Sequence, residues 1–211
     1  GKECHPNCDC GRFMEIVNSV FMEYKKTEKG FTNLPQKNVD HGAGVERLLA
    51  AVENKQDIFQ TSLFSSIIQT IELNTNKSYK DFSQPIRIIA DHLIASTFII
   101  AQNIKPSNKE QGYILRRLIR RSLDHLSSLS RNANVAKIIE SIVEGRKETD
   151  KILVDKFEEI KNTILEEEQK YKKTLQTAKQ FISKKYPSIN SGQAGDELMG
   201  VTKISSDDAF T

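Results

Sequence analysis

The apolar residues between Leu153 and Ile182 constrain the fold more than any other feature of this sequence. They repeat at intervals of three and four residues, with one gap at Glu167 and Glu168, which predicts a single long amphipathic helix ended by Pro187. The pattern is Leu153, Phe157, Ile160, Ile164, Tyr171, Leu175, Ala178 and Ile182. Because four clean heptads are not sustained, a helix packed on its own domain is favoured over a dimeric coiled coil.

Most of the chain before this helix also has helical periodicity. The apolar spacing over 59–71 predicts a helix with Thr61 or Ser62 as its cap. Pro85 in a first turn opens a second helix through Ala101, which is apolar nearly all round and is therefore predicted to be central and buried. The spacing Ser107-x-x-Glu110 predicts a capping box for a third helix through about Leu126, with Ile114, Leu115, Leu118 and Ile119 on its buried side. A shorter helix is predicted over 135–143. The sequence after residue 187 is turn-rich.

The first fifty residues differ, because they predict a hairpin followed by one helix. Residues 12–24 are rich in aromatic and β-branched side chains and indicate a strand that turns near Gly30 and returns towards Val39. Gly42 and Gly44 then end the second strand, and a helix starts at Val45. The fold class is therefore mainly α with a small antiparallel sheet.

The glycine turn is the first candidate site. Asp40, His41, Gly42 and Gly44 precede a helix N-terminus, whose free N–H groups favour an anion, and Arg47 lies one turn into that helix. A guanidinium can hold a phosphate in a bidentate manner. Phosphate binding and a simple tight strand-to-helix connection both fit this spacing.

A basic segment is the second candidate. Residues 105–147 contain ten Lys or Arg against four Asp or Glu, although the whole chain carries only +3. Arg116, Arg117, Arg120 and Arg121 form two adjacent stripes on one helix flank. This arrangement favours contact with RNA phosphates, and the alternative is a surface of salt bridges to Glu140, Glu144 or the acidic run 166–168.

The three cysteines, Cys4, Cys8 and Cys10, all precede residue 11. With His5 they could hold Zn²⁺, but Cys-x₃-Cys-x-Cys is not a standard zinc spacing, and free thiols of a cytoplasmic protein are the default interpretation. Asp91 and His92 fit a hydrogen-bonded core pair. The longest uncharged stretch, 58–71, is too short and too polar to span a membrane.

Several of these segments, in this order, together resemble alanyl-tRNA synthetase, a class II aminoacyl-tRNA synthetase. The matching strings are Glu15-Ile-Val-Asn-Ser-Val-Phe-Met-Glu-Tyr, Leu34-Pro-Gln-Lys-Asn-Val-Asp-His-Gly-Ala-Gly-Val-Glu-Arg, Ile88-Ile-Ala-Asp-His-Leu, Pro106-Ser-Asn, Gly112-Tyr-Ile-Leu-Arg-Arg-Leu-Ile-Arg-Arg, Glu167-Glu-Gln-Lys-Tyr-Lys-Lys-Thr-Leu and Asp207-Asp-Ala-Phe.

The resemblance implies roles for individual residues. Residues 42–47 are similar to motif 3, in which Arg47 would contact ATP phosphates while Gly42 and Gly44 line the pocket. Asp40 matches the carboxylate that pairs with the alanine ammonium, and Asn18 matches an asparagine that holds the same substrate. Where the family has Thr, this chain has His41, which puts a changed side chain in the expected substrate pocket.

The resemblance also implies a residue that reads the tRNA and a division of the chain into two domains. Asn108 matches the residue that reads the G·U pair of the tRNA(Ala) acceptor stem, next to the four arginines. We expect residues 1–54 to be the end of the aminoacylation domain and 55–211 a truncated helical tRNA-recognition domain.

The implied substrates are alanine, ATP with Mg²⁺, and tRNA. Motifs 1 and 2 and the zinc-containing editing domain would lie outside the chain, so the fragment should be inactive alone. The alternative is a stand-alone, non-catalytic RNA-binding or interaction module.

Overall fold

A computed structural model describes residues 3–6, 8 and 10–185; the predicted tail and the match at 207–210 lie outside them. The chain begins with an antiparallel hairpin and continues as helices, which confirms the mainly α fold class with a small sheet. The elements are strands β1 (Val17–Thr27) and β2 (Gly30–Ala43), helices α1 (Val45–Val52), α2 (Ser62–Thr75), α3 (Ser83–Ala101), α4 (Glu110–Leu129), α5 (Val135–Glu144), α6 (Lys151–Asp155) and α7 (Phe157–Lys185), and a 3₁₀ turn (Ile58–Gln60).

The hairpin turns through Glu28 and Lys29, where Gly30 has a φ of 114° that an L side chain rarely adopts. Its register is irregular between Met22 and Tyr24, opposite the segment that contains Pro35. Since proline has no N–H to donate, an interruption of the ladder at this point is expected. The first strand begins at Val17, five residues later than the sequence indicated.

The helices enclose one apolar core, and α3 lies within it as predicted. The side chains of Ile86, Ile89 and Leu93 on α3 are fully buried. They belong to a single cluster with buried residues from α2, α4, α5, α6 and α7. In residues 10–54, by contrast, Ala50 is the one buried residue. The hairpin therefore extends from a helical body that has its own core.

The long C-terminal helix is interrupted, which corrects the prediction of one continuous helix from Leu153. The backbone of Lys156 leaves the helical conformation between α6 and α7. Its ammonium group donates a hydrogen bond to the carbonyl oxygen of Ala101 at the end of α3, at 2.8 Å. Leu153, Ile160 and Ile164 are all buried in the same core. The apolar spacing continues unchanged across the break at Lys156, so the sequence pattern could not reveal the break.

The start of α4 also differs from the prediction. The helix begins at Glu110, and Ser107 does not cap it; its hydroxyl accepts a hydrogen bond from the N–H of Lys109 at 3.3 Å. On the predicted buried side, Leu115 and Ile119 are fully buried, but Ile114 is 50% exposed. The buried side of α4 is therefore narrower than the sequence pattern suggested.

Two polar contacts connect α1 to the helical body. Glu53, at the end of α1, accepts hydrogen bonds from the backbone N–H and the hydroxyl of Ser62 at the start of α2. Asp57 accepts hydrogen bonds from Tyr79 and Arg87. Burial raises the pKa of Asp57, but these hydrogen bonds outweigh burial and hold the pKa below its ordinary value. Asp57 is therefore a charged anchor for the connecting segment.

Candidate functional site

The hairpin brings the predicted substrate residues onto one face. Asn18 is paired with Gly42, and Val20 with Asp40. Directly paired residues of an antiparallel ladder project to the same side, and alternate residues share a face. Asn18, Asp40 and Gly42 therefore lie on the same side of the sheet. All three are exposed.

The turn into α1 places Arg47 beside this face. The N–H of Gly44 donates to the carbonyl oxygen of Ile16 at 3.0 Å, which continues the hairpin to the first residue before the helix. The Arg47 side chain folds back over Gly44. A Cβ atom added to Gly44 would lie 3.3 Å from the Cδ atom of Arg47. The Arg47 guanidinium donates to the carbonyl oxygen of Glu15 at 3.0 Å.

Glu15 contacts two residues of the candidate site, although its sequence pattern did not single it out. Its carboxylate accepts a hydrogen bond from the side-chain amide of Asn18 at 3.3 Å, and its carbonyl holds Arg47. Glu15 thus links one residue of the strand to one of the helix. It has no motif of its own, and only the pairing of these two elements reveals the contact.

His41 does not share the face of Asp40. It is paired with Ser19, one residue out of phase with Asn18. Its Nδ1 atom is 2.8 Å from the Ser19 hydroxyl oxygen. The imidazole is therefore held on the opposite side of the sheet.

The four arginines of α4 divide into two environments. Arg120 donates to the carboxylate of Glu167 on α7 at 2.7 Å and lies over the ring of Tyr171, 5.1 Å from its centre. Burial, with a hydrogen bond to Asp124, raises the pKa of Tyr171 to about 12, so its phenol is a donor. Arg120 therefore forms an ion pair with the acidic run 166–168, as the salt-bridge alternative predicted for this surface.

Arg117 and Arg121 lie on the exposed side of α4. Within the part of the chain that the structure describes, neither forms an ion pair. The His125 pKa is lowered, mainly by burial and then by the positive charge of Arg121. Arg117 and Arg121 are therefore two exposed positive charges on α4.

Asn108 lies at the start of α4, next to Arg116. Its side-chain oxygen accepts a hydrogen bond from the Arg116 guanidinium. The loop is held against the first helical turn because the N–H of Ser107 donates to the carbonyl oxygen of Gly112 at 3.0 Å. A Cβ on Gly112 would lie 2.6 Å from the Lys105 carbonyl oxygen, so only glycine fits there. The sequence contains Gly112 but gives no signal of this packing.

The remaining candidates are the three cysteines and the pair Asp91 and His92. Cys4, Cys8 and Cys10 lie close together before β1, with ligand atoms within 4.8 Å of one another. Asp91 and His92 are hydrogen-bonded at 3.1 Å, as predicted, but Asp91 is exposed, so the pair is not in the core. Among the described residues, no helix is both long and apolar enough to cross a membrane.

Comparison with known proteins assigns the class. The chain matches the family "tRNA synthetases class II (A)" over residues 2–210, and it therefore belongs to that family.

The similar curated relatives are alanine–tRNA ligases, which confirms the resemblance to alanyl-tRNA synthetase. The chain is 38% identical to the enzyme of Petrotoga mobilis over 198 residues, which are 90% of this chain and 22% of that protein. It is 39% identical to the enzyme of Borrelia hermsii over 195 residues, 89% of this chain and 33% of that protein. With the enzyme of Thermotoga sp. it shares 37% identity over 216 residues, 100% of this chain and 24% of the relative. The chain thus spans between a fifth and a third of these relatives' length.

Proposed function

We propose that this chain is part of an alanine–tRNA ligase. It supplies motif 3 of the aminoacylation site and a helical domain that binds the acceptor stem of tRNA(Ala), in the cytoplasm. The ligase joins alanine to AMP at the expense of ATP and then transfers the alanyl group to the 3′ end of the tRNA. The observation that carries this proposal is the hairpin register, which places Asn18, Asp40 and Gly42 on one face beside Arg47.

The chemistry of this face suits an amino acid and a nucleotide. The Asp40 carboxylate would pair with the alanine ammonium, and the Asn18 amide would hold the same substrate. Arg47 would contact ATP phosphates and offset the charge of the departing pyrophosphate. Gly42 leaves open space, since a Cβ there would meet nothing within 4 Å. Mg²⁺ would accompany ATP and neutralise its phosphates, without a ligand assigned to it in this chain.

The RNA surface consists of Asn108 and the α4 arginines. Arg117 and Arg121 would contact phosphates, and Arg116 would orient Asn108 towards the G·U pair, since it donates a hydrogen bond to the Asn108 side chain. Arg120 belongs to this surface through its exposed part. The shallow groove of A-form RNA is the one that such side chains can reach.

Binding of an alanine acceptor minihelix tests the RNA assignment. The affinity should fall steeply with salt, and the double variant Arg117→Ala/Arg121→Ala should lower the slope of log K against log salt by about two. Lys25→Ala is the matched control, because it removes one exposed positive charge from the hairpin. Binding that does not depend on salt would contradict the assignment. So would a change in the slope for Lys25→Ala that is as large, per charge removed, as the change in the double variant.

The chain alone should not catalyse alanine-dependent exchange between ATP and pyrophosphate. Its proposed substrate residues lie on an open two-stranded sheet, where water competes for every charged contact. Exchange is measured with labelled pyrophosphate at saturating alanine and ATP. Activity that depends on alanine and is lost in Arg47→Ala would show that the chain has a complete aminoacylation site.

A further inference from the structure

Three thiols converge ahead of β1, outside the proposed aminoacylation face. The sulfur of Cys4 lies 3.4 Å from that of Cys8 and 3.3 Å from that of Cys10, and the last two are 2.9 Å apart. These are the three cysteines of the chain. Each sulfur is therefore close enough to both others to share one metal ion with them.

Local backbone structure holds the sulfurs together. A turn forms between His5 and Cys8, in which the N–H of Cys8 donates to the carbonyl oxygen of His5 at 3.0 Å. The thiol of Cys8 also donates a hydrogen bond to the sulfur of Cys10. The thiolate is the form of cysteine that binds a metal, so metal binding would release the thiol protons.

We propose that Cys4, Cys8 and Cys10 bind one Zn²⁺ ion through three thiolates. Thiolate is a preferred ligand of Zn²⁺, and three protein ligands leave one position for an exchangeable group such as water. Tetrahedral bonds of about 2.3 Å place sulfur atoms about 3.8 Å apart, so the three sulfurs would separate by less than 1 Å on binding. Cys10 is exposed, which leaves the cluster open to an ion from solvent.

The metal would fix the segment that leads into β1. Cys10 lies seven residues before the first residue of β1. An ion bound by Cys4, Cys8 and Cys10 would close a small loop at the entrance to the strand that carries Asn18. Zn²⁺ would act as a structural clamp there, with no part in the transfer of alanine.

Cobalt substitution tests the site in the whole chain, purified metal-free under reducing conditions. Titration with Co²⁺ should saturate at one ion per chain with sulfur-to-cobalt charge-transfer absorption, and Zn²⁺ should displace it in a 1:1 ratio. Because the chain has no other cysteine, this absorption can come only from these three residues. Cys8→Ser should weaken binding by at least tenfold and reduce the absorption.

His5→Ala is the control, since it removes a neighbouring metal-binding side chain but no thiol. It should keep the charge-transfer absorption, and loss equal to that in Cys8→Ser would overturn the three-thiolate set. Absence of 1:1 binding, or equal affinity in Cys8→Ser, would also overturn the proposal. If Cys8→Ser changes the circular dichroism of the chain, thiol alkylation of the unchanged protein decides: Zn²⁺ should protect all three cysteines, and no protection would refute the site.

Discussion

Arg120 shows how much the environment of one side chain decides its role. Arg117 and Arg121 carry the same charge on the same helix, yet only Arg120 of these three is held by Glu167, whose side chain is 5% exposed. A carboxylate so deeply buried needs a cation, because an unpaired charge away from water is costly. Arg120 is therefore first a structural residue that joins α4 to α7, and only its outer part is available to RNA.

Arg120→Ala should lower the free energy of unfolding by about 2–3 kcal/mol, because it leaves Glu167 buried without its partner and removes the contact with Tyr171. Urea unfolding followed by circular dichroism measures the change. Arg117→Ala is the matched control, since the same substitution at an exposed position should cost less than about 0.5 kcal/mol. Similar losses in both variants would contradict the structural role of Arg120.

At the scale of elements, α7 consists of two different halves. Ile160, Ile164 and Glu167 are buried against the helical body. Beyond Tyr171 nearly every residue is exposed. Leu175 and Ile182 continue the apolar spacing there, but both are exposed, as is the adjacent Phe181. The packing of the first half supports the intramolecular interpretation of the stripe.

Amide hydrogen exchange should separate the two halves of α7. Amides around 160–168 should be protected with the rest of the core, whereas those of 173–185 should exchange at least tenfold faster, because helix without tertiary packing opens locally. Mass spectrometry of peptides from the two halves measures this. Uniform, concentration-dependent protection would instead favour the dimeric coiled coil.

For the whole molecule, the structure contains a helical body with its own core and a hairpin whose described residues bury little. Glu53, Ser62 and Asp57 form the polar connection between them. The exposed apolar residues of the hairpin include Phe21, which is 80% exposed, and Phe31 and Val39. The stability of the chain should therefore reside in the helices.

A chain of residues 55–185 should fold by itself and unfold cooperatively. Removing the hairpin and α1 takes away one buried alanine and the hydrogen bonds of Glu53, a loss of about 1–3 kcal/mol. Thermal unfolding followed by circular dichroism, with the full chain as reference, measures this. A broad transition without cooperativity would show that the domain boundary near residue 54 is wrong.

The sequence predicted the secondary structure better than the contacts that interrupt or begin individual helices. Periodicity was sufficient for the helices, the hairpin and the buried position of α3, because the apolar spacing of each element reflects its own geometry. The break at Lys156 and the uncapped start of α4 were not predictable, since each depends on a contact with residues far along the chain or on the packing of a loop.

The sequence by itself determined the residue types of the site and the family to which the chain belongs. Only the tertiary structure decided which of these residues act together: the hairpin register separates His41 from Asp40, and helix packing pairs Arg120 with Glu167 while leaving Arg117 exposed. The reason is physical. A side chain's identity is local, but its neighbours, its burial and hence the free energy of its charge depend on where other segments pack.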